Sequence, residues 1–438
     1  MKKFIKALTP APLLSAYHYS MALLGAVLYR FPANRLLVVG VTGTKGKSTT
    51  AELITAILEE AGAKVALAST IRFAIGKESE PNLFKMTMPG RFYLQKFLRQ
   101  AVGAGATHAV IEMTSEGAKQ YRHKGIALNA LVFTNLQPEH LESHGSMEAY
   151  AAAKLSLKTH LEESKKRPRY MVANADDKYG KDFLAAQVEV VAPFSLTDAE
   201  PYATSEKAVR FVWKRPALRS LGGAGGELFT VPLPGLFNLQ NILAALTLAD
   251  ALGIPQSKSK KALEHIAPVA GRAERIEQGQ PFTAVVDYAH TPDSLCALYE
   301  AYADKETKRA AKDGRARRVI GVLGSTGGGR DTWKRPAMGG IAEEYCDLVI
   351  LTNEDPYDED PQKIIDDMAE GFTRHKPHII LDRRQAIREA LREAKEGDVV
   401  LITGKGTDPY IMGKKGAKEP WSDKRVVEEE LQKLGYHT

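Results

Sequence analysis

Val39-Gly40-Val41-Thr42-Gly43-Thr44-Lys45-Gly46-Lys47-Ser48-Thr49-Thr50 is the segment best equipped for chemistry. Gly43 and Gly46 let backbone N–H groups approach an anion closely, Lys47 can reach the β and γ oxygens of a nucleotide, and Ser48 or Thr49 can offer a hydroxyl to magnesium. Thr44 and Lys45 complete the loop. A purely structural glycine-rich turn would need neither the lysine nor the paired hydroxyls. Glu112 ends one apolar run and His140 follows the next, so a parallel sheet would point both into the crevice at its strands' carboxyl ends. Asn238 and Asn241 stand at i and i+3 on one face of a starting helix. A carboxamide carries both donor and acceptor, which suits an adenine edge; helix capping by Asn238 is the alternative.

These groups need elements to hold them. Leu36-Leu37-Val38-Val39 reads as a buried strand, residues 40–46 as the glycine loop and 48–60 as a helix. Further strands are predicted at 64–68, 108–111, 130–133 and 170–173, separated by helices such as 92–101 and 147–161. That alternation implies a mainly parallel sheet covered on both faces. The glycines of 222–226, between 209–212 and 228–231, predict a hairpin on the sheet's edge. Near Gly271 the pattern restarts, with strands at 283–287, 319–323, 348–352, 378–381 and 399–403. The expected fold is therefore α/β: an apolar helical leader over 1–34, a P-loop ATPase-like central domain over 35–269, and a Rossmann-like domain over 270–438 that meets it across a cleft with a short hinge at 268–272.

Composition narrows the function. The chain has 438 residues, 44% apolar and 26% charged, as soluble globular proteins do. Its length alone suggests about three domains. The net charge of +7 is thin and spread out. The basic runs at 165–167 and 315–318 lie beside acidic residues without interleaved aromatics, which argues against a nucleic-acid partner. Cys296 and Cys346 share no metal-ligand spacing, as expected of a reducing cytoplasmic compartment. At the N-terminus Lys2, Lys3 and Lys6 precede an apolar run over 13–28 containing Tyr17, His18 and Tyr19. It is shorter than the roughly 20 residues that span a bilayer. The expectation is an amphipathic helix packed on the protein; peripheral membrane or partner contact through residues 1–30 and a signal peptide are the alternatives.

With Gly-Thr-Lys-Gly-Lys-Ser at 43–48 where a strict P-loop would place a glycine at Val41, the chain resembles the Mur ligase family, ATP-dependent amide-forming enzymes of peptidoglycan precursor synthesis. Ile111-Glu112-Met113-Thr114-Ser115 resembles the segment carrying a magnesium-binding glutamate, and 133–141 the segment in which His140 would bind a second metal ion. The resemblance implies that Lys154, in Tyr150-Ala151-Ala152-Ala153-Lys154, is carbamylated into a carboxylate-like ligand. Without the family it reads as a solvated helical lysine. The implied catalytic set is Lys47, Lys154, His140 and Glu112, with Ser48 joining the last three as metal ligands. Pro234-Gly235-Leu236-Phe237-Asn238-Leu239-Gln240-Asn241 assigns Asn238 and Asn241 to adenine; Gly271-Arg272-Ala273-Glu274-Arg275 and Val286-Asp287-Tyr288-Ala289-His290 place Arg272 near the phosphates and Asp287 and His290 near the nucleoside. Thr291-Pro292-Asp293-Ser294 could equally be a turn and helix cap.

Gly328-Gly329-Arg330-Asp331 and the run 334–343 are similar to the branch that adds the third amino acid of the peptide stem (MurE type). Arg330 would then clamp a carboxylate, with Glu354, Asp355, Tyr357, Gly404 and Asp408 completing the amino-acid pocket. Enzymes of that branch that take diaminopimelate generally carry Asp-Asn-Pro-Arg where this chain reads Glu354-Asp355-Pro356-Tyr357. Loss of that arginine, beside Glu354, Asp355 and Asp408, favours an amine-ended substrate such as lysine or ornithine. On the acceptor side the family's Thr-Thr-Pro appears as Thr87-Met88-Pro89 and its Ser-Ser-His as Thr114-Ser115-Glu116, so Thr87 and Ser115 are the implied contacts. Only 39 residues precede Gly40, too few for the separate domain with which these ligases hold the UDP end. The expected activity is ATP- and Mg2+-dependent addition of a free amino acid to a muramoyl-peptide by a monomer. The alternatives are a related ligase acting on a lipid-linked or poly-amino-acid acceptor, and a non-catalytic ATP-binding protein.

Overall fold

A computed structural model describes residues 10–139, 141–214, 226–303 and 317–437. The chain folds as two compact units. The first comprises residues up to Tyr202 with Arg210–Val231 and Asn238–Ile266; the second comprises Ala203–Val209, Pro232–Phe237 and the chain from Ala267 onward.

The first unit is built on strands β1 (Leu37–Thr42), β2 (Val65–Ala68), β3 (Arg72–Ile75), β4 (Glu78–Pro81), β5 (His108–Met113), β6 (Ala130–Phe133), β7 (Tyr170–Asn174) and β8 (Val190–Phe194). Their order is β4-β3-β2-β5-β1-β6-β7-β8, and neighbours pair parallel except at β2–β3 and β3–β4, so β3 alone runs against the rest. β2 and β6 are buried at every position, as strands covered on both faces must be. The exposed edge strand β4 carries Glu78, Glu80 and Pro81, which deter further pairing. From β1 the chain passes to one side of the sheet and from β5 to the other, so the loop after β1 lies where the strand order reverses, the usual ligand position in open α/β sheets.

The principal helices of this unit are α1 (Ala11–Leu28), α2 (Lys47–Glu60), α3 (Arg91–Gly103), α4 (Met147–Glu162) and α5 (Leu236–Ala251), whose first turn starts in the second unit. In α4, Ser146 caps the first turn by accepting the Ala149 N–H at 3.1 Å, and Tyr150, Ala151, Lys154, Leu157 and Leu161 form one buried stripe. Two expectations need correction. The strands Val209–Trp213 and Glu227–Val231 are neighbours, but in a separate three-stranded sheet. They bury alternate residues, Val209, Phe211 and Trp213 against exposed Arg210, which suits a one-sided layer and not the doubly covered main sheet. Most of their glycine-rich turn, 215–225, lies outside the described residues. The second correction concerns α1, which is apolar on its outward side as well as its docked side and is not amphipathic. No helix among the described residues is long and apolar enough to cross a membrane.

The second unit carries β9 (Glu274–Ile276), β10 (Thr283–Val286), β11 (Val319–Leu323), β12 (Leu348–Leu351), β13 (His378–Ile379) and β14 (Val399–Ile402). Their order is β9-β10-β14-β11-β12-β13, parallel except for β9. One core, with Leu323, Tyr299 and Met338, covers one face; another, with Ile320, Ile387 and Val427, covers the other. The strand predicted at 378–381 is only two residues long, both exposed at the sheet's edge.

Candidate active site

The glycine loop is clamped from the segment after β6. Thr44 N–H donates to Asn135 O at 2.8 Å, Lys45 N–H donates to Asn135 Oδ1 at 2.9 Å, and Thr134 Oγ1 donates back to Lys45 O at 2.7 Å. Lys45 Nζ pairs with the nearly buried Glu139 at 2.8 Å. Two glycines are required. Gly43 lies at φ +151°, where a Cβ would fall 1.9 Å from Thr134 Oγ1; Gly46, at φ +80°, caps α2, and a Cβ there would fall 2.1 Å from Asn241 Oδ1. Lys47 Nζ folds back onto Gly43 O at 3.0 Å and Thr44 O at 2.8 Å. Ser48 and Thr49 are buried in the first turn of α2, which contains no acidic residue, so an anion would meet backbone N–H groups, the positive helix end and Lys47.

Asn238 and Asn241 are buried beside this loop. Asn241 Oδ1 accepts from Thr50 Oγ1 at 3.3 Å, and its amide donates to Asn238 Oδ1 at 3.3 Å. The carboxamides thus brace the start of α2. Asn174 and Asp177, after β7, hold the clamping segment in turn: Asn174 Nδ2 donates to Thr134 O, and Asp177 Oδ2 accepts the Leu136 N–H at 2.9 Å.

Glu112 is fully buried on β5, paired in register with Val41 of β1. Its oxygens accept the Thr70 N–H at 2.8 Å and the Thr70 hydroxyl at 3.0 Å, and that hydroxyl lies 2.8 Å from Thr87 Oγ1. The structure therefore links Glu112 to Thr87 through Thr70. On the other side Lys154 Nζ donates to Gly43 O at 2.6 Å and lies over the Tyr150 ring, while Tyr150 OH sits 3.0 Å from Thr44 Oγ1. Burial, then the neighbouring Lys47 ammonium, hold the Lys154 amine well below the usual lysine range; Glu139 opposes this and Lys45 reinforces it. Ser115 Oγ lies 3.1 Å from His144 Nε2. His140 lies outside the described residues, and among those described no cluster of three His, Cys, Asp or Glu forms a metal site.

In the second unit the expected amino-acid residues gather at the carboxyl ends of β11, β12 and β14. Glu354, Asp355, Gly404 and Lys405 are buried. Lys405 Nζ donates to Asp355 at 2.9 Å and Asp408 at 3.3 Å, and Asp355 also accepts the Met412 N–H at 2.8 Å. The acidic group is thus partly neutralised by a lysine that the sequence reading did not weigh against it. Glu354 Oε1 accepts from Thr326 Oγ1 at 2.7 Å, whereas Oε2 has no hydrogen-bond partner among the described residues. Gly404, at φ +105°, leaves the space beside that oxygen: a Cβ there would lie 2.5 Å from it. Arg330 is exposed and stacks over the Tyr357 ring at 5.0 Å.

Asp287 follows β10 and accepts the Ala273 and Ala289 N–H groups, each at 2.6 Å, so its carboxylate organises its own loop; burial pushes its pKa up, against Arg272 and those N–H groups. Arg272 stacks over Tyr288 at 4.5 Å, and His290 Nδ1 lies 2.7 Å from Tyr288 O. Thr291 and Ser294 form a capping box on the helix Pro292–Tyr302, so the bland reading of that segment is its structural role. Sequence reasoning missed Thr70, Asn135 and Lys405 as positioning groups. Of these only Lys405, a lysine between glycines after a predicted strand, offered a local signal.

Comparison with known proteins agrees with this architecture. Residues 41–249 match the Mur ligase middle domain and residues 271–406 the Mur ligase glutamate ligase domain. The chain is 38% identical to the UDP-N-acetylmuramyl-tripeptide synthetase of Roseiflexus sp. (strain RS-1), over 98% of this chain and 85% of that protein. It is 36% identical to the UDP-N-acetylmuramoyl-L-alanyl-D-glutamate–2,6-diaminopimelate ligase of Geobacillus kaustophilus (strain HTA426), over 92% and 81%. A solved structure of a ligase of the latter name superimposes with a TM-score of 0.59 at 30% identity, covering 92% of this chain and 79% of the other. With a clamped phosphate loop at the sheet's reversal point and relatives matched over most of both chains, this protein belongs to the Mur ligase family.

Proposed function

We propose that this chain is an ATP-dependent acid–amino-acid ligase that extends a muramoyl-peptide by its third residue, through an acyl phosphate. The observation that carries the reading is the junction at Gly43, where the phosphate loop, Lys47 and the buried Lys154 meet on one carbonyl. ATP as co-substrate puts the reaction in the cytoplasm.

The residues fit a bound magnesium ion in chemistry. Glu112 is a buried carboxylate with no cationic partner among the described residues; it, the Ser48 hydroxyl and a carbamylated Lys154 would supply oxygen donors suited to a hard cation, and His140 is the further, nitrogen ligand the family reading assigns. Magnesium bound there would neutralise phosphate charge. Because its amine is held toward the neutral form, Lys154 can add to carbon dioxide, forming an N–C bond and releasing one proton to leave a carbamate. Lys47 would exchange its two loop carbonyls for phosphate oxygens, and N–H groups at the start of α2 would hold the β-phosphate. The acceptor's carboxylate attacks the γ-phosphorus and ADP leaves; the amine of the incoming amino acid then attacks the acyl carbon, phosphate departs, and the amine loses a proton. Thr87, coupled to Glu112 through Thr70, is the residue the family reading assigns to the acceptor.

For the incoming amino acid we favour an amine-ended side chain such as lysine or ornithine, recognised by Glu354, since Tyr357 offers no cation for a distal carboxylate. Phosphate release with ATP, muramoyl-dipeptide and single amino acids, read with product mass, tests both statements. No release with any amino acid refutes the third-residue assignment. Release with diaminopimelate alone leaves the ligase standing and refutes the Glu354 reading. Lys47→Ala should abolish turnover in a folded protein.

A further inference from the structure

α1 spans 18 residues without one Asp, Glu, Lys or Arg. Its inner side is fixed to the first unit. Ser15 Oγ lies 3.0 Å from Tyr121 OH, His18 Nδ1 lies 2.8 Å from Arg91 Nη2, and Ala26 packs so tightly on Gly125 that a Cβ at Gly125 would come within 2.5 Å of the Ala26 Cβ. Its outer side is apolar too: Leu13, Tyr17, Leu24, Val27 and Leu28 are each at least half exposed. Surface helices normally put charge on that side, so an uncharged helix whose open face is mostly apolar lacks a covering partner among the described residues. A second apolar group stands beside α3, the helix against which α1 lies. Exposed Phe84 packs on Tyr93 of α3 with ring centroids 4.5 Å apart, flanked by exposed Leu83 and Met86.

Charge selects the partner. The first 51 residues contain no Asp or Glu, while Lys2, Lys3 and Lys6 precede α1 and Arg30 and Arg35 follow it. A second copy of the chain would bring two such basic segments together, whereas an anionic bilayer would attract both. Eighteen residues extend about 27 Å, close to the hydrocarbon thickness, but a helix bound along one side to protein can only lie in the interface. Exposed tyrosines Tyr17 and Tyr19 suit that depth.

We propose that the outward face of α1 docks the first unit on an anionic lipid surface, apolar side chains entering the headgroup boundary and the exposed Arg30 and Arg35 meeting lipid phosphates. The test is flotation of the full chain with vesicles of phosphatidylglycerol and phosphatidylcholine in equal parts, against phosphatidylcholine alone. The full chain should float with the anionic vesicles and lose binding as salt rises. A Leu24→Glu/Leu28→Glu variant, and separately Lys2→Gln/Lys3→Gln/Lys6→Gln, should each bind more than about tenfold more weakly. Both sets leave the phosphate loop and its clamp untouched, and the melting temperature checks folding. Absence of flotation with anionic vesicles overturns the proposal, as does equal flotation of the Leu24→Glu/Leu28→Glu variant. A dimer in solution that this variant dissociates, without vesicle binding by the parent chain, assigns the face to a second copy and also overturns it.

Discussion

Gly46→Ala tests the loop's construction. Gly46 sits at φ +80° as the residue before α2, and an added Cβ would lie 2.1 Å from Asn241 Oδ1. Two independent costs follow. Holding an L-residue in that region costs about 1–2 kcal/mol. Displacing the Asn241 carboxamide from a packed site costs about 1–3 kcal/mol more. The strain divides between stability and nucleotide affinity, because a loop that relaxes to escape it must be returned to shape by ATP. Losses measured by urea unfolding and by calorimetric titration with a non-hydrolysable ATP analogue should together reach about 2–5 kcal/mol, with each 1.4 kcal/mol equal to about tenfold in affinity. In an Asn241→Ala background only the backbone part should remain, so the double-mutant cycle should show a coupling of about 1–3 kcal/mol. Loss of the bond between Thr50 and Asn241 cancels in the cycle, since it is absent from both members of that arm. An unchanged cost of Gly46→Ala in the two backgrounds would refute the seating of Asn241 against the loop.

Lys405→Met should destabilise the second unit by about 3–5 kcal/mol, since it leaves Asp355 and Asp408 without their buried ammonium; a change below about 1 kcal/mol in urea unfolding would show that the pair does not depend on it. Lys154→Ala should remove ligase turnover, and the intact mass of the parent enzyme in bicarbonate should rise by one carbon dioxide, an increment the variant lacks; an increment retained by the variant would place carbamylation elsewhere. Glu343, held down chiefly by the Thr373 N–H, and Glu430, held down chiefly by Arg388, have carboxyls near pKa about 2 in place of the ordinary 4.5. Folded values below unfolded ones mean stability that is present above about pH 4.5 and lost as pH falls toward about 2. The melting temperature should drop across that window, less so in Glu430→Gln, and a flat profile there would contradict these pairings.

The two sheets were legible because their strands are short, continuous apolar runs separated by helical periodicity, a pattern set by local burial. Leu37-Val38-Val39 and Val399-Val400-Leu401-Ile402 need no partner to be recognised as doubly covered strands, although the first runs through Gly40 to Thr42, into the predicted loop. The phosphate loop was legible for the same reason. The hairpin at 209–231 was misassigned because its alternation reports one covered face without naming the layer that covers it. The outward face of α1 was misread because hydropathy along a chain does not tell which side meets the protein; that needed Gly125 and Tyr121, about a hundred residues away.

The same limit governs the amino-acid pocket, where composition misleads on charge. Glu354, Asp355 and Asp408 read as three anions, yet the folded chain brings Lys405 within ion-pair distance of the last two, one of them 50 positions distant in sequence. A pairing at that separation leaves no local periodicity to detect. What remains is one carboxylate oxygen, Glu354 Oε2, buried without a hydrogen-bond partner among the described residues and lying against a glycine that cannot fill the space. A buried acceptor in that state costs free energy until a donor arrives. The proposed selectivity for an amine-ended side chain would therefore rest on a single oxygen, and its strength would depend on how well the Lys405 pairs keep Asp355 and Asp408 from competing for the same ammonium.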